Sequence, residues 1–195
     1  HPATSRHALS WLRAILEEPA LAQATSLRYV VSGGEALERD LAQQVGSVLP
    51  GVTLGNYYGP SEASDDSTCF EVDTRGGGAV GTIPIGRPIA NARCHILDPN
   101  GQPVPVGVVG ELHVGGVGLA RCYLNQPELT AERFINDPIR PGERLYRTGD
   151  LARYLPDGNI DYVGRIDHQV KIRGYRIELG EVEAAVAACE GVRQV

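Results

Sequence analysis

The sequence predicts an α/β protein with a parallel-sheet α/β part, a small antiparallel β region and the start of a further unit. Three observations predict this fold class. Residues 27–54 follow the order strand, helix, strand, which requires a parallel sheet. From about Thr68 the chain changes to short strands separated by glycine and proline turns. Two short strands and a helical pattern then close the chain over residues 169–189.

The first half of the chain carries the α/β pattern. Apolar residues at helical spacing predict an amphipathic helix over Ala8–Leu16, which Pro19 ends. A short buried strand is predicted at Leu27–Val31, a helix at about Ala36–Val48 and a second strand at Val52–Leu54. In such a unit the loops that follow the strands gather at the carboxyl edge of the sheet, where α/β proteins bind ligands.

The second half is predicted to be antiparallel. The turn Asp98–Gly101 separates a strand at Asn91–Leu97 from one at Gly110–Val114, and residues 156–159 form the turn of a hairpin over Leu151–Val163. The remaining predicted elements are a short helix at Pro127–Phe134, strands at Gln169–Ile172 and Tyr175–Ile177, and a helix at Leu179–Cys189. We therefore expect a sheet of antiparallel hairpins after the α/β part.

Composition limits the classes of function. The chain has 195 residues, a formal charge of −6, 42% hydrophobic residues and 22% charged residues, which is typical of a folded domain. Mild acidity gives no support to nucleic-acid or membrane-surface binding, and no apolar run approaches the roughly 20 residues of a membrane span. We expect a cytoplasmic protein. The four cysteines form no CxxC pair, which favours buried reduced thiols over a disulfide or zinc site.

Two residue types are scarce. The sequence has no methionine, and Lys171 is its single lysine. A Walker A loop has glycine directly before its lysine, whereas Val170 precedes Lys171, so these residues contain no P-loop. The missing methionine predicts that the chain is an internal piece of a longer protein.

Two glycine-containing segments have ordinary explanations. Residues 76–81 fit the pattern G-x-G-x-x-G, but Thr82–Gly86 cannot begin a helix, so we predict a glycine loop and no dinucleotide site. Ser32–Glu35 is predicted to be a tight turn between strand and helix, with Glu35 in the first helical turn. Two adjacent glycines there would also let a flat ligand lie against the backbone.

Two further clusters have the chemistry of a ligand site. Tyr57–Glu62 combines two aromatic rings, a glycine, a hydroxyl and a carboxylate after a predicted strand. Such a set can stack on a base, approach a phosphate and hold a hard cation through Ser61 and Glu62. Tyr146–Asp150 is a second cluster at a strand end, and its carboxylate can take two ribose hydroxyls. A polar turn explains either cluster equally well, and neither separates a nucleotide site from a sugar or phosphate site.

Four segments, taken together and in this order, carry a family resemblance. They are Asn56–Glu62, Gly110–Leu112 through Leu119–Leu124, Tyr146–Leu151, and Gly164–Arg165 through Gln169–Glu183. With them the chain resembles the adenylation domain of non-ribosomal peptide synthetases, among the adenylate-forming (acyl-activating) enzymes, from about Leu27 onward. The resemblance implies part of the adenylate-forming fold: residues 1–166 would be the later part of the large subdomain, and residues 167–195 the hinge and the beginning of a small α+β C-terminal subdomain.

The resemblance implies a reaction. ATP and Mg²⁺ would activate an amino acid as an aminoacyl-adenylate, and the acyl group would pass to the phosphopantetheine thiol of a peptidyl carrier protein, beside a condensation domain in a larger chain. The implied nucleotide residues are Tyr58 against the adenine, Asn56 and Gly34 at its edge, Asp150 with Arg165 at the ribose, and Tyr162 in the pocket. Glu62 would hold Mg²⁺ and Ser61 would lie at the phosphates.

The resemblance also implies an amino-acid pocket and a hinge. Val31, Gly33, Tyr57, Asp65 and Asp66 would line the pocket. Its two carboxylates suggest a substrate side chain that is cationic or donates hydrogen bonds. Asp167 would be the hinge about which the small subdomain rotates.

The chain departs from the family pattern at several points. Ser61 replaces the usual threonine and keeps the hydroxyl. Cys122 stands where glycine is usual, at a cost of roughly 1 kcal/mol if that backbone needs a positive φ. The family's phosphate loop and its catalytic lysine are expected outside His1–Val195, so the chain is predicted to be inactive alone. The alternatives are a stand-alone acyl or aryl-acid ligase and a non-catalytic interaction module with a relic nucleotide site.

Overall fold

The computed structural model describes residues 3–7, 9–75, 83–167, 170–172, 175–177, 182, 185–186 and 189. The glycine run at 76–81 and most of the predicted helix at 179–189 lie outside the described residues. The predictions for these two segments therefore stay predictions. The same is true of much of the long motif after Gln169.

The first sheet has five strands in the order of the chain. They are β1 (Ala3–His7), β2 (Leu27–Gly33), β3 (Thr53–Tyr58), β4 (Thr68–Val72) and β5 (Arg87–Pro88). The first three run parallel, and the last two are added antiparallel. The parallel pair β2–β3, joined through helix α2 (Arg39–Val48), confirms the predicted strand–helix–strand unit. Strand β1 was not predicted.

Two helices cover one face of this sheet. Helix α1 (Leu9–Leu16) and helix α2 bury leucines and valines against the apolar side chains of β2 and β3. The fully buried members include Leu37, Leu41, Val45 and Leu54. Each such side chain contributes roughly 1.5–3 kcal/mol of burial energy, so this cluster fixes the frame on which the strand ends are held.

The second sheet consists of antiparallel strands. They are β6 (Ala92–Leu97), β7 (Gly110–Gly116), β8 (Phe134–Asn136), β9 (Arg144–Tyr154) and β10 (Ile160–Arg165), in the order β10-β9-β7-β6 with β8 also on β9. Helix α3 (Pro127–Arg133) precedes β8. Both predicted hairpins are confirmed. The last strands, β11 (Val170–Ile172) and β12 (Tyr175–Ile177), form an antiparallel pair, which also matches the prediction.

One segment joins the two sheets. The backbone of Ile85 and Gly86, just before β5, pairs with Ile160 at the start of β10. Around this junction Tyr58 of the first sheet shares a core with Ile96, Leu112 and other side chains of the second. The carboxyl end of β3 therefore lies against the second sheet.

The predicted start of helix α2 is wrong. The helix begins at Arg39, so Glu35 is not in its first turn. Gly34 has a φ of 89°, and the carbonyl of Leu37 accepts a hydrogen bond from the Ile83 amide at 3.0 Å. This hydrogen bond ties Leu37 to the segment before β5. Leu37 is also fully buried, and it lies outside the helix, between β2 and α2.

The strands extend into both ligand-type clusters, which corrects the predicted strand ends: β3 includes the first two residues of Tyr57–Glu62, and β9 includes all of Tyr146–Asp150. Strand β3 continues to Tyr58 because β4 pairs with it from Leu54 to Tyr58. Asp150 lies in the middle of β9, opposite Arg165 of β10. In each case a partner strand that is remote in sequence extends the element.

The cysteines differ from the prediction. All four are free thiols, and Cys94 is buried as expected, but Cys122 and Cys189 are exposed. The described non-glycine residues with positive φ are Ser64, Asp65, Asn91 and Asn125. Cys122 is not among them, so the conditional cost of replacing glycine there does not apply. Within the described residues, no helix is long and apolar enough to cross a membrane.

Candidate functional site

A cleft lies at the carboxyl edge of the first sheet, where it meets the second. Its volume is about 640 Å³, within the range of pockets that hold small molecules. Its walls come from α1, from the turn after β2, from the end of β3 and from β10. The predicted nucleotide residues among the lining side chains are Gly34, Asn56, Tyr58, Tyr162 and Arg165.

The remaining predicted nucleotide residue, Asp150, lies behind the cleft and contacts two of its lining residues. The Tyr58 hydroxyl donates to Asp150 Oδ2 at 2.5 Å, and Arg165 donates to Asp150 Oδ1 at 2.7 Å. Asp150 and Tyr58 are both buried. Burial, followed by the Asp150 charge, raises the pKa of Tyr58 well above its usual value. Tyr58 is therefore a hydrogen-bond donor at neutral pH.

Arg165 joins this carboxylate to the predicted hinge. Its guanidinium donates to both oxygens of Asp167, at 2.6 and 2.7 Å, and to the Thr148 carbonyl at 3.2 Å. Burial opposes the positive charge, but Asp167 and Asp150 outweigh it and raise the Arg165 pKa. The planar fork of arginine suits this two-pronged contact. The structure thus brings Asp150, Arg165 and Asp167 together.

Asn56 is oriented by backbone carbonyls. Its side chain is buried, and its Nδ2 donates to the Pro84 carbonyl at 2.8 Å and to the Ile83 carbonyl at 3.3 Å. Because both amide protons are used in this way, the amide oxygen is the atom that Asn56 can offer to a ligand. The site therefore suits a ligand that donates a hydrogen bond at this point.

Glu62 and Ser61 lie beyond the end of β3, in a short 3₁₀ helix at Ser61–Ala63. Neither residue is among those that line the cleft. The Glu62 carboxylate accepts hydrogen bonds from the hydroxyls of Tyr123 and Tyr146, at 2.7 and 2.9 Å to Oε1. Ser61 is exposed.

Glu62 offers a carboxylate to a cation at this point. Within the described part of the chain, no group of three histidine, cysteine, aspartate or glutamate side chains is arranged to hold a metal. Mg²⁺ commonly binds through one or two carboxylates together with substrate phosphates and water. Glu62 therefore fits a Mg²⁺ ion that arrives with a nucleotide, and does not fit a resident metal centre.

The predicted pocket residues Val31, Gly33 and Tyr57 alternate onto the other face of the first sheet. Tyr57 also borders the cleft. Gly33 is opposite Tyr57 in the parallel pair, and Val31 is opposite Gly55. A Cβ atom on Gly55 would lie 2.6 Å from the Tyr57 ring, so the ring covers that glycine. Val31 and Tyr57 are partly exposed. These three residues share a surface that helices α1 and α2 do not cover.

The structure adds Cys69 to this surface. Cys69 of β4 is opposite Tyr57, and its thiol is hydrogen-bonded to the Tyr57 hydroxyl, which raises the pKa of Tyr57 to about 12. Burial chiefly raises the pKa of Cys69, with contributions from the charges of Glu71 and Asp66. Asp66 is therefore near this pair. Asp65 is exposed, with a φ of 73°.

Comparison with known proteins identifies the family. The sequence profile of the AMP-binding enzymes matches residues 7–124, which is more than half of the chain. The chain belongs to the AMP-binding enzyme family.

Several AMP-binding relatives are large synthetases. The chain is 54% identical over 169 residues to tyrocidine synthase 3 of Brevibacillus parabrevis, covering 87% of the chain and 3% of that protein. It is 52% identical over 168 residues to gramicidin S synthase 2 of Brevibacillus brevis, covering 86% and 4%. The chain therefore spans only a small part of the curated relatives that it matches.

Solved structures agree with this family assignment. IdnL1 superposes on 99% of the chain with a TM-score of 0.89 and 34% identity, over 41% of its own length. PA1221, described as a non-ribosomal peptide synthetase protein with adenylation and PCP domains, superposes on 98% of the chain, with a TM-score of 0.87, 30% identity and 39% of its own length covered. The predicted resemblance to adenylation domains of non-ribosomal peptide synthetases is confirmed, and so is the predicted fold class.

Sequence reasoning did not identify Tyr123 and Cys69 as site residues. Tyr123 stands inside one of the segments that carry the resemblance, yet a lone tyrosine in a loop has no pattern that indicates its partner. Cys69 could have been found by continuing the strand pattern past Thr68, since every second residue of a strand shares a face.

Proposed function

We propose that this AMP-binding protein activates an amino acid with ATP, forming an aminoacyl-adenylate. One observation carries the proposal: successive residues of β3 serve opposite faces of the sheet. Asn56 and Tyr58 line the cleft and are buried. Tyr57 also borders the cleft, but it contacts Cys69 on the other face. Because strand side chains alternate in direction, one strand end can bring two ligands together from opposite sides.

The cleft is proposed to bind the nucleotide. The acceptor oxygen of Asn56 suits the exocyclic amino group of adenine, and the Tyr58 ring suits stacking on the base. Asp150 is proposed to bind the ribose hydroxyls, since Tyr58 and Arg165 hold its carboxylate at the back of the cleft. Gly34 and Tyr162 complete the walls of the cleft.

The opposite face is proposed to bind the amino acid. Val31, Gly33 and Tyr57 would form one wall, and Asp65 and Asp66 would supply negative charge. The proximity of Asp66 to Cys69 supports a substrate side chain that is cationic or donates hydrogen bonds. The substrate carboxylate would attack the α-phosphorus of ATP, forming the acyl–phosphate bond as the bond to pyrophosphate breaks.

Glu62 is proposed to bind Mg²⁺ and Ser61 to contact the phosphates. When bound, Mg²⁺ would neutralise phosphate charge during the displacement. This chain's own contribution is to hold the two reactants in contact at the end of β3. Glu62 fits the role because its carboxylate lies four residues beyond Tyr58 and is held by two hydroxyl donors.

The acyl group is proposed to pass from the adenylate to a carrier-protein phosphopantetheine thiol, forming a thioester as AMP leaves. The description of PA1221 as a protein containing adenylation and PCP domains supports this step. In this proposal residues 1–166 belong to a large subdomain and residues 167–195 begin a small one, with Asp167 as the hinge. The Arg165–Asp167 contact would then hold one orientation of the hinge.

The test is amino-acid-dependent ATP–pyrophosphate exchange by the full protein that carries this sequence. We expect exchange with one or a few polar or cationic amino acids, and at least a tenfold loss in Glu62→Ala and Asp150→Ala. Asp161→Ala is the matched control, because that carboxylate pairs with Arg153 on the second sheet. Exchange with aryl or fatty acids only would favour an acyl ligase, and binding of nucleotide without exchange would favour an interaction module.

A further inference from the structure

Two tyrosine hydroxyls converge on one oxygen of Glu62. The Tyr123 hydroxyl donates to Glu62 Oε1 at 2.7 Å and the Tyr146 hydroxyl donates to the same atom at 2.9 Å. The two phenol oxygens are 3.2 Å apart. Each phenol has a single proton, and for each tyrosine the contact with Oε1 is shorter than the contact between the two phenols. The three side chains lie 61 and 84 residues apart in sequence, so only the fold brings them together.

Both tyrosines are themselves held in place. Tyr146 is fully buried in β9. The Phe134 ring packs against both phenols, with centroid distances of 5.5 Å to Tyr123 and 5.2 Å to Tyr146. The amide of Tyr123 also donates to the Thr130 hydroxyl at 3.0 Å. The donors are therefore fixed by packing against β8 and α3 before any ligand binds.

The backbone that carries Glu62 is tied to the same region. The Ala120 amide donates to the Glu62 carbonyl at 2.8 Å. Arg144 in turn donates to the carbonyls of Ala120 and Arg121, at 3.0 and 2.9 Å, and lies over the Phe134 ring at 5.4 Å. The segment before Tyr123 and the 3₁₀ helix of Glu62 are thus one connected structure.

Such an arrangement has a physical consequence for a cation ligand. A glutamate loses side-chain conformational entropy when it is immobilised. Here the carboxylate is immobilised by the fold, so a cation does not have to order it.

We propose that Tyr123 and Tyr146 are positioning residues that hold the Glu62 carboxylate in the orientation that binds the Mg²⁺ of the nucleotide. The proposal rests on the proposed function, in which Glu62 binds that ion. The tyrosines touch neither substrate nor metal in this scheme and act through Glu62. Partners that orient a metal ligand typically change metal affinity by about 10–100-fold when removed.

The experiment compares Tyr123→Phe, Tyr146→Phe and Tyr154→Phe in the full protein. Tyr154 is the matched control, because its hydroxyl donates to the Cys94 carbonyl at 2.9 Å on the same sheet. Two quantities are measured: the Mg²⁺ concentration for half-maximal ATP–pyrophosphate exchange, and Mn²⁺ binding in the presence of a non-hydrolysable ATP analogue, followed by electron paramagnetic resonance. We expect about tenfold weaker cation binding in the first two variants and no change in Tyr154→Phe.

A double-mutant comparison separates positioning from structural support. In a Glu62→Ala background, Tyr123→Phe is expected to have no further effect on Mn²⁺ binding, because there is no carboxylate left to orient. The proposal would be overturned if Tyr123→Phe changed Mn²⁺ binding equally with and without Glu62, or if neither tyrosine variant changed the Mg²⁺ requirement. Neither result would contradict the proposed activation of an amino acid. If Tyr146→Phe does not fold, the result for Tyr123→Phe alone decides whether the tyrosines orient Glu62. If no amino acid supports exchange, the Mn²⁺ titration still decides this question.

Discussion

At the scale of single residues, Arg165 shows how much one guanidinium can organise. It contacts Asp150, Asp167 and the Thr148 carbonyl at once, and its side chain is largely buried. A lysine carries the same charge but is a point donor without the planar fork. The three contacts therefore depend on the geometry of arginine as well as on its charge.

We predict that Arg165→Lys weakens ATP binding by about tenfold, since part of a buried, charge-assisted network is lost. The measurement is ATP titration of the full protein by calorimetry. Arg153→Lys is the control, because Arg153 pairs with Asp161 at a more exposed position of the second sheet. Equal affinities in the two variants would contradict the prediction.

The cysteines provide a pH-dependent prediction. Burial raises the pKa of Cys94 to about 12, so its thiol stays protonated in the folded protein while an unfolded chain ionises near pH 8.5. Its contribution to stability is fully present below about pH 8.5 and is lost as the pH rises toward 12. We expect Cys94 to resist alkylation at pH 8 and the exposed Cys122 to react, as measured by mass spectrometry. Prompt labelling of Cys94 would contradict its burial.

At the scale of elements, strand β9 places its functional residue by means of a bulge. The pairing with β7 shifts between Glu111 and His113, opposite residues 147–151. Gly149 lies in this shift with a φ of 73°, and the Ile166 amide donates to its carbonyl at 2.8 Å. Bulges change the direction of neighbouring side chains, and Asp150, the residue after Gly149, contacts Tyr58 and Arg165.

We predict that Gly149→Ala costs about 1–3 kcal/mol of stability and also weakens ATP binding. A Cβ atom there would lie 2.9 Å from the Arg165 guanidinium and 3.1 Å from Asp167. Gly158→Ala is the control: it has a φ of 81°, but its nearest neighbour is 3.5 Å away, on the flexible Arg87 side chain. Denaturant unfolding should show a loss in both variants, whereas an ATP titration should separate them.

At the scale of the whole molecule, the first sheet is a partition that separates the proposed nucleotide surface from the proposed amino-acid surface. Its helix-covered side opens into the cleft, which Tyr57 also borders, and its other side carries the contact between Tyr57 and Cys69. The second sheet closes the cleft through β10 and fixes Glu62 through Tyr123 and Tyr146. The proposed nucleotide and Mg²⁺ sites are therefore built from both sheets, and the proposed amino-acid site lies on the other face of the first sheet.

This partition predicts that two sets of variants have separate effects. Cys69→Ala and Tyr57→Phe are expected to change the ranking of amino acids in the exchange assay by about tenfold, with the KM for ATP unchanged. Asn56→Ala is expected to raise the KM for ATP by a similar factor with the ranking of amino acids retained, because a buried hydrogen-bonding group contributes about 1–3 kcal/mol. If Cys69→Ala changed the ATP dependence instead, the two-sided arrangement would be wrong.

Local patterns were sufficient for much of the fold. The strand–helix–strand unit around α2, both hairpins of the second sheet and the pair β11–β12 follow from apolar periodicity and turn residues, since these depend on near neighbours in the chain. The predicted start of α2, the predicted end of β3 and the predicted strand end near Asp150 were wrong. Each is decided by a hydrogen bond from a remote segment: Ile83 to Leu37, β4 to β3 and β10 to β9.

The sequence by itself determined the fold class, the family and the chemical types of the candidate site residues, because motifs and periodicity are written in consecutive residues. Only the tertiary structure decided which of these residues meet. It brought Asp150 to Tyr58 and Arg165, it separated Tyr57 from Tyr58 by strand alternation, and it placed Tyr123 and Tyr146 on Glu62. Contacts across 61 or 84 residues depend on strand pairing and core packing, and no local pattern encodes them.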